Sequence, residues 1–276
     1  MPDFDYQGHS VHYEETGDGP PVVLLHCGGH SGRQWDRIVA VLADRYRLIV
    51  PDFYGFGETS CWRDGDSLSH DDQALLVAEV MRRTVGGGAD VVGHSYGGAC
   101  AIRLYRYRPD YVGSLVLIEP AALNLLGEDG SRDLHEESFR IARSFIQARD
   151  SGRDEDAWRE FIDHYNSPGV WNSLSGRARN RLLAQTAGTA DALRSNFGNA
   201  TTLADCRQLG VPTTVVSGET TAPYNRRVTE ILHKEIPGAE RIEIAGAGHM
   251  SPLTHPEAVA GLIAAHLSRR AGAPAS

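Results

Sequence analysis

The chain has 276 residues, of which 41% are hydrophobic and 23% charged, and its formal net charge is −9. That is the balance of a water-soluble globular protein, long enough for one large domain or a domain with an insertion. The acidic balance argues against a nucleic-acid surface, which needs clustered Lys and Arg, and against a role on anionic membranes.

The opening "MPDFDYQGHS" has no basic start and no apolar run, so no signal peptide is expected. "FDYQGHSVHYEETG" alternates apolar and polar residues around Gly8 and reads as a hairpin. "PPVVLLH", "YRLIVPD", "ADVVGHS", "VGSLVLIEP", "VPTTVVSG" and "AERIEIAG" are short continuous apolar runs, as in strands of a parallel sheet buried on both faces. "WDRIVAVLADR", "SHDDQALLVAEVMRRTV" and "YGGACAIRLYRYRP" carry helical three-to-four residue spacing between them. This alternation predicts a doubly wound α/β fold. It breaks after Glu119, where "EESFRIARSFIQAR", "DEDAWREFIDHY" and "SGRARNRLLAQTAGTADALRSNF" read as a helical insertion. The expected division is a core of residues 1–120 and 211–270 with a helical cap over 121–210. The tail "RRAGAPAS" is expected to fray. No apolar stretch is long enough to span a membrane. Cys27, Cys61, Cys100 and Cys206 are scattered without CxxC spacing, which fits reduced thiols and a cytoplasmic location better than a disulfide framework or a zinc site.

Three stretches carry chemistry. "VVGHSYGG" follows an apolar strand and opens a helix, the context that Gly-x-Ser-x-Gly requires. Gly93 and Gly97 permit the tight turn, Ser95 is its exposed hydroxyl, and the Tyr96 N–H can donate to a developing oxyanion. "VVLLHCGGHSGRQW" is a second strand followed by a Gly-rich loop. Gly28 is the first choice for the other donating N–H, with Cys27 and Gly29 as alternatives. The loop lacks the spacing of a phosphate cradle, and Cys27 reads as a packing residue rather than a nucleophile. In "IAGAGHMSPLTHPEAV", His249 stands after the last strand, where a base for Ser95 belongs. His26 and His94 read as supporting residues, and Asp52 as a loop support.

The order strand–HCGG, strand–PDFYGFG, strand–GHSYGG, helical insertion, strand–SGE, strand–GAGH resembles the α/β-hydrolase superfamily over nearly the whole chain. The elbow and the Gly-His loop are specific for that superfamily but not for a substrate. The resemblance implies Ser95 as nucleophile, His249 as base, and an oxyanion hole from Gly28 and Tyr96. One position departs from the pattern. Most members carry the triad acid at Gly-x-x-Asp after the strand that follows the cap, and here that position is Thr221, with Glu219 the only acid nearby. Some branches, including certain haloalkane dehalogenases and fungal zearalenone lactone hydrolases, place the acid one strand earlier. Glu119, which ends the apolar run "LVLIEP", occupies that place 24 positions after Ser95.

A Ser-His-Glu set suits acyl transfer to water, so the expected activity is hydrolysis of a carboxylic ester or lactone. Ser95 argues against haloalkane dehalogenases and epoxide hydrolases, which use Asp at the elbow. Cleavage of a C–C bond, a lyase reaction and a non-catalytic ligand-binding role are the rival readings. Cys27 and Gly29, with Trp158, Phe161 and Trp171 of the insertion, are candidates for contacting a small hydrophobic substrate; Tyr165 and Phe197 are further aromatics of the insertion. The mechanism needs no cofactor, no metal constellation is visible, neither nucleic acid nor membrane is an expected partner, and a homo-oligomer is left open.

Overall fold

The apolar runs of the sequence become strands because their side chains can be buried on both sides of a sheet. The computed structural model describes residues 3–63 and 67–271; residues 272–276, where part of the frayed tail was expected, lie outside them. Eight strands form one sheet: β1 (Asp3–Tyr6), β2 (His9–Thr16), β3 (Pro21–Leu25), β4 (Arg47–Pro51), β5 (Ala89–His94), β6 (Val112–Ile118), β7 (Thr213–Gly218) and β8 (Glu240–Ile244). Their order is β1-β2-β4-β3-β5-β6-β7-β8. The β1–β2 and β2–β4 pairs are antiparallel and all the others parallel. The first two strands form the expected hairpin. Gln7 and Gly8 both have positive φ, 54° and 83°, as a tight turn between twisted strands requires.

Helices α1 (Asp36–Leu42), α2 (His70–Thr84) and α3 (Tyr96–Tyr107) alternate with the central strands. After β7 come α11 (Pro223–Glu235), α12 (Ser251–Thr254) and α13 (Pro256–Ala271). Successive strand residues feed opposite cores. Val23, Leu25, Leu115 and Leu117 pack in the cluster that includes Leu76, Leu104 and Val228 of α2, α3 and α11. Val22, Leu24, Val116 and Ile118 pack with Ile38 of α1 and Ile263 of α13. A strand buried this way shows no polar alternation. β8 differs, because it is the sheet edge: its outer residues are partly exposed and carry charges that discourage edge pairing. Glu243 is bonded to Arg226, and Glu240 lies 2.6 Å from Arg269.

Between β6 and β7 lie seven helices: α4 (Leu125–Glu128), α5 (Arg132–Asp150), α6 (Asp154–Tyr165), α7 (Val170–Ser173), α8 (Gly176–Ala184), α9 (Thr186–Phe197) and α10 (Leu203–Arg207). They have a small core of their own around Phe145, Trp158, Trp171 and Leu193. The stretch "SGRARNRLLAQTAGTADALRSNF" is two helices rather than one continuous one. The Thr186 hydroxyl donates to the Leu183 carbonyl at 2.7 Å and accepts from Trp158 Nε1 at 2.9 Å, and the chain turns at Gln185. No helix among the described residues is long and apolar enough to cross a membrane.

Helix α9 meets the loop after β4 backbone to backbone. A Cβ on Gly188 would stand 2.1 Å from the Gly55 carbonyl oxygen, so the two segments can approach this closely only without side chains. Gly188→Ala should therefore cost about 1–3 kcal/mol, the usual range for overpacking, and lower the thermal unfolding midpoint. Gly261→Ala, in α13 with open space around its Cβ position, should instead gain about 0.5–1 kcal/mol. A Gly188→Ala midpoint at or above that of the parent would show that this contact does not constrain the fold.

Candidate active site

Ser95 sits between β5 and α3 at φ 53°, a region in which a residue with a side chain is strained. Neighbouring glycines make the turn possible. A Cβ on Gly93 would lie 2.5 Å from the Gly97 carbonyl oxygen, and one on Gly97 would lie 2.4 Å from that of Leu25. The Ser95 N–H donates to Ile118 O at 2.9 Å, which ties the turn to the end of β6.

Glu119 follows that end at φ 41° and is 1% exposed. Its N–H donates to Val216 O at 2.9 Å, extending the β6–β7 ladder by one bond. Its carboxylate collects three donors. Oε1 accepts from the Gly218 N–H at 2.7 Å, and Oε2 accepts from the Thr221 hydroxyl at 2.6 Å and from His249 Nδ1 at 2.7 Å. A carboxylate only accepts, so in the neutral imidazole the His249 proton is on Nδ1 and Nε2 is left as an acceptor. Nε2 faces Ser95 Oγ at 3.1 Å and can accept its proton. Asn225 Nδ2 lies 3.2 Å from His249 Nδ1 and 3.4 Å from Thr221 Oγ1. Because Nδ1 already bears a proton, only the Thr221 contact is a hydrogen bond.

Burial raises the Glu119 pKa, but the bond and charge of His249, with the Gly218 and Thr221 donors, outweigh it and hold the group below its ordinary 4.5. A depressed carboxylate stabilises the fold above its unfolded pKa, and that contribution is lost as pH falls through the folded value. Glu219 is exposed and turned away, accepting from the Gly246 N–H at 2.7 Å. The two candidate acids are thus separated by geometry, and Glu119 is the one that touches His249. Thr221 donates to that acid, a contact that its reading as a vacated acid position did not include.

The Gly28 and Tyr96 backbones face each other, a Cβ on Gly28 reaching 3.7 Å from Tyr96 Cβ. Neither N–H has a backbone partner among the described residues. The Cys27 N–H, by contrast, is engaged by Gln34 Oε1 at 3.1 Å, which removes it as a free donor. Burial pushes the Cys27 thiol up to about 12, so the thiolate is absent at neutral pH. Asp52 accepts from the Gly32 and Glu58 N–H groups at 2.7 and 2.9 Å, and His26 accepts from the Phe53 N–H at 3.1 Å. Both order loops. His94 reaches the His249 carbonyl at 2.9 Å through Nε2.

A cavity of about 250 Å³ opens from Ser95 and His249. Cys27, Gly28, Gly29 and Tyr96 line it from the sheet side, and Trp158, Phe161, Tyr165 and Leu182 from the inserted helices. Trp171 is not on its wall: it is fully buried in the core of those helices, beside Phe145 and Trp158. Phe197 is not on the wall either and is 42% exposed. The Tyr165 ring stands 4.9 Å from the His249 ring, and Tyr224 OH bonds His164 Nε2 at 2.8 Å, linking α6 to α11. No spacing in the sequence marked Asn225, Tyr224 or the pocket's charged residues, which come from separate elements.

Among known proteins, the chain is 26% identical over 265 residues to an esterase of Mycobacterium tuberculosis, spanning 92% of this chain and 85% of that one. It is 24% identical over 285 residues to 2-hydroxy-6-oxo-6-(2'-aminophenyl)hexa-2,4-dienoic acid hydrolase of Metapseudomonas resinovorans, spanning 96% of this chain and 89% of the relative. An alpha/beta hydrolase enzyme from a Medee basin deep-sea metagenome superposes with a TM-score of 0.79 at 20% identity, covering 97% of each chain. The sequence matches the alpha/beta hydrolase family over residues 22–262. With most of its length inside that match, and with the sheet and elbow described above, the chain belongs to the alpha/beta hydrolase family.

Proposed function

We propose that this protein is a serine hydrolase that cleaves a carboxylic ester or lactone through a covalent acyl-enzyme. The observation that carries the reading is the unbroken relay from Ser95 Oγ to His249 Nε2 at 3.1 Å and from His249 Nδ1 to Glu119 Oε2 at 2.7 Å. The esterase relative agrees with it. The inserted helices act as a cap over the pocket.

Ser95 Oγ attacks the substrate carbonyl carbon while its proton passes to His249 Nε2. The oxygen that gains charge is stabilised by the free Gly28 and Tyr96 N–H groups, whose dipoles need no reorganisation as charge develops. The imidazolium is stabilised by Glu119, which keeps its own charge. Collapse of the tetrahedral adduct breaks the bond to the leaving oxygen, which takes the proton from Nε2. A water then repeats the sequence, losing its proton to Nε2 and releasing the acid and Ser95. In a lactone the leaving oxygen stays tethered to the acyl group.

The C–C bond reading keeps a place because one relative is a hydrolase of a hexadienoic acid. Turnover of such a dienoate with none of 4-nitrophenyl esters would favour it over ester cleavage.

A fluorophosphonate should add its mass to Ser95 and to no residue of Ser95→Ala; an unlabelled parent would remove the nucleophile assignment. Glu119→Gln should lower kcat by about four orders of magnitude, as loss of the acid does in related triads, while Glu219→Gln leaves it unchanged. The reverse pattern would overturn the acid assignment. Thr221→Val removes one hydrogen bond to a charged group and should lower kcat about 10- to 100-fold with little change in KM. Parental kcat in that variant would show that the hydroxyl does not hold Glu119.

A further inference from the structure

The wall of the active-site cavity has a charge pattern that ester hydrolysis alone does not require. Among the described residues it includes two arginines, Arg33 and Arg181, and no aspartate or glutamate, in a chain whose net charge is −9. The two come from opposite sides. Arg33 lies in the turn Gly32–Trp35 after the Gly28 loop, and Arg181 in α8 of the inserted helices. Most described arginines are ion-paired, several within one helix turn. Both residues are solvent-exposed, and among the described residues neither has a carboxylate within ion-pair distance or a side-chain hydrogen bond. Asp36, the acid that feels the charge of Arg33, sits three residues along on the outside of α1.

His30 lies on the same wall. Burial, then the charges of His26 and Arg181, lower its pKa to about 4, so at neutral pH it adds no charge. It remains a neutral hydrogen-bonding group in the same cavity as the two arginines. The inserted helices also bring Leu174, Leu182 and Leu193 to the lining, interspersed with Asn166, Gln185 and Thr189. A cavity with aromatic and aliphatic lining and two arginines suits a ligand with a hydrocarbon body and an anionic end.

We propose that Arg33 and Arg181 form an anion clamp, and that the natural substrate is an ester or lactone whose far end carries a carboxylate. The proposal deepens the ester reading and rests on it for the bond that is cut. Two guanidiniums without a partner among the described residues would lose little protein structure by engaging such a group, and their bidentate donors match carboxylate geometry. The overall negative charge of the chain repels anions at long range. Selectivity should therefore be short-ranged and built by these two residues rather than by the net field.

The test is binding of the monomethyl esters of dicarboxylic acids from succinate to sebacate, each against its dimethyl ester, by calorimetry on Ser95→Ala. At one or more chain lengths the monoanion should bind more tightly than the diester. The ratio of the two affinities should fall about tenfold in Arg33→Gln and in Arg181→Gln, the loss of one charge-assisted contact each. Arg181→Lys should retain part of the ratio, and raised salt should reduce it. A monoanion that binds no tighter than its diester at any length, or does not bind, overturns the clamp. So does a ratio indifferent to both substitutions. The ester reading is judged separately, by turnover of the same compounds with the parent enzyme. If neither is cleaved while the ratio behaves as expected, the clamp stands and the bond assignment fails.

Discussion

The buried carboxylate of Glu119 sets the terms for everything around it. Removing a carboxylate from water carries a penalty of several kcal/mol, offset only by well-placed partners. Here three donors meet it, from Gly218 at the end of β7, Thr221 in the loop that follows, and His249 after β8. None of the three is close to Glu119 in sequence, so the charge is satisfied only when β6, β7 and β8 are in register. Gly218 shows how tight the arrangement is. A Cβ there would lie 2.3 Å from the Ala247 carbonyl oxygen, on the loop that delivers His249. The site and the right-hand half of the sheet are one mechanical unit.

Strain is concentrated at the same place. Ser95 and Glu119 end adjacent parallel strands and both have positive φ, 53° and 41°. Such conformations cost about 1–3 kcal/mol each and persist only where the surroundings over-determine them. The surroundings are β5 and β6, buried on both faces and bonded to each other from Ala89–Val112 to His94–Ile118. The ladder carries on past the regular strands, through Ser95 N–H to Ile118 O and Glu119 N–H to Val216 O. The strain turns each side chain out of the strand direction and toward His249. Without the abrupt turn, a residue after Ile118 would continue into one of the two apolar cores, where a carboxylate has no donors.

The inserted helices add a second layer with different chemistry. Trp158, Phe161 and Tyr165 close the pocket with aromatic surface, and Trp158 is fixed by its bond to Thr186. Close backbone packing of Gly188 on Gly55 seats this layer on the core loops. Among the described residues the lining so formed has no acidic residue, in a chain of net charge −9. The buried carboxylate of Glu119 stands behind His249, while the cavity lining carries Arg33 and Arg181.

Much of this was legible in the residues themselves. Apolar runs of Val, Ile and Leu announced strands buried on both faces, because only such strands lack polar alternation. Gly-x-Ser-x-Gly announced the elbow, because only glycine fits at positions 93 and 97. Thr at position 221 and Glu at position 119 together pointed to Glu119 as the carboxylate beside His249, because a hydroxyl cannot carry charge. Local pattern stops there. It read "SGRARNRLLAQTAGTADALRSNF" as helical without marking the break at Gln185, where the Thr186 hydroxyl bonds distant Trp158. It put Trp171 with the pocket aromatics, although packing turns that ring into the core of the inserted helices. Nor could it show that Glu119 reaches His249 while Glu219 does not, that Thr221 donates to Glu119, or that Arg33 and Arg181 line one cavity. Sequence determined which residues had the chemistry and which strands they end. Only the tertiary structure decided which of them touch, because those contacts join residues up to 154 positions apart and depend on strand register and loop direction that no local pattern encodes.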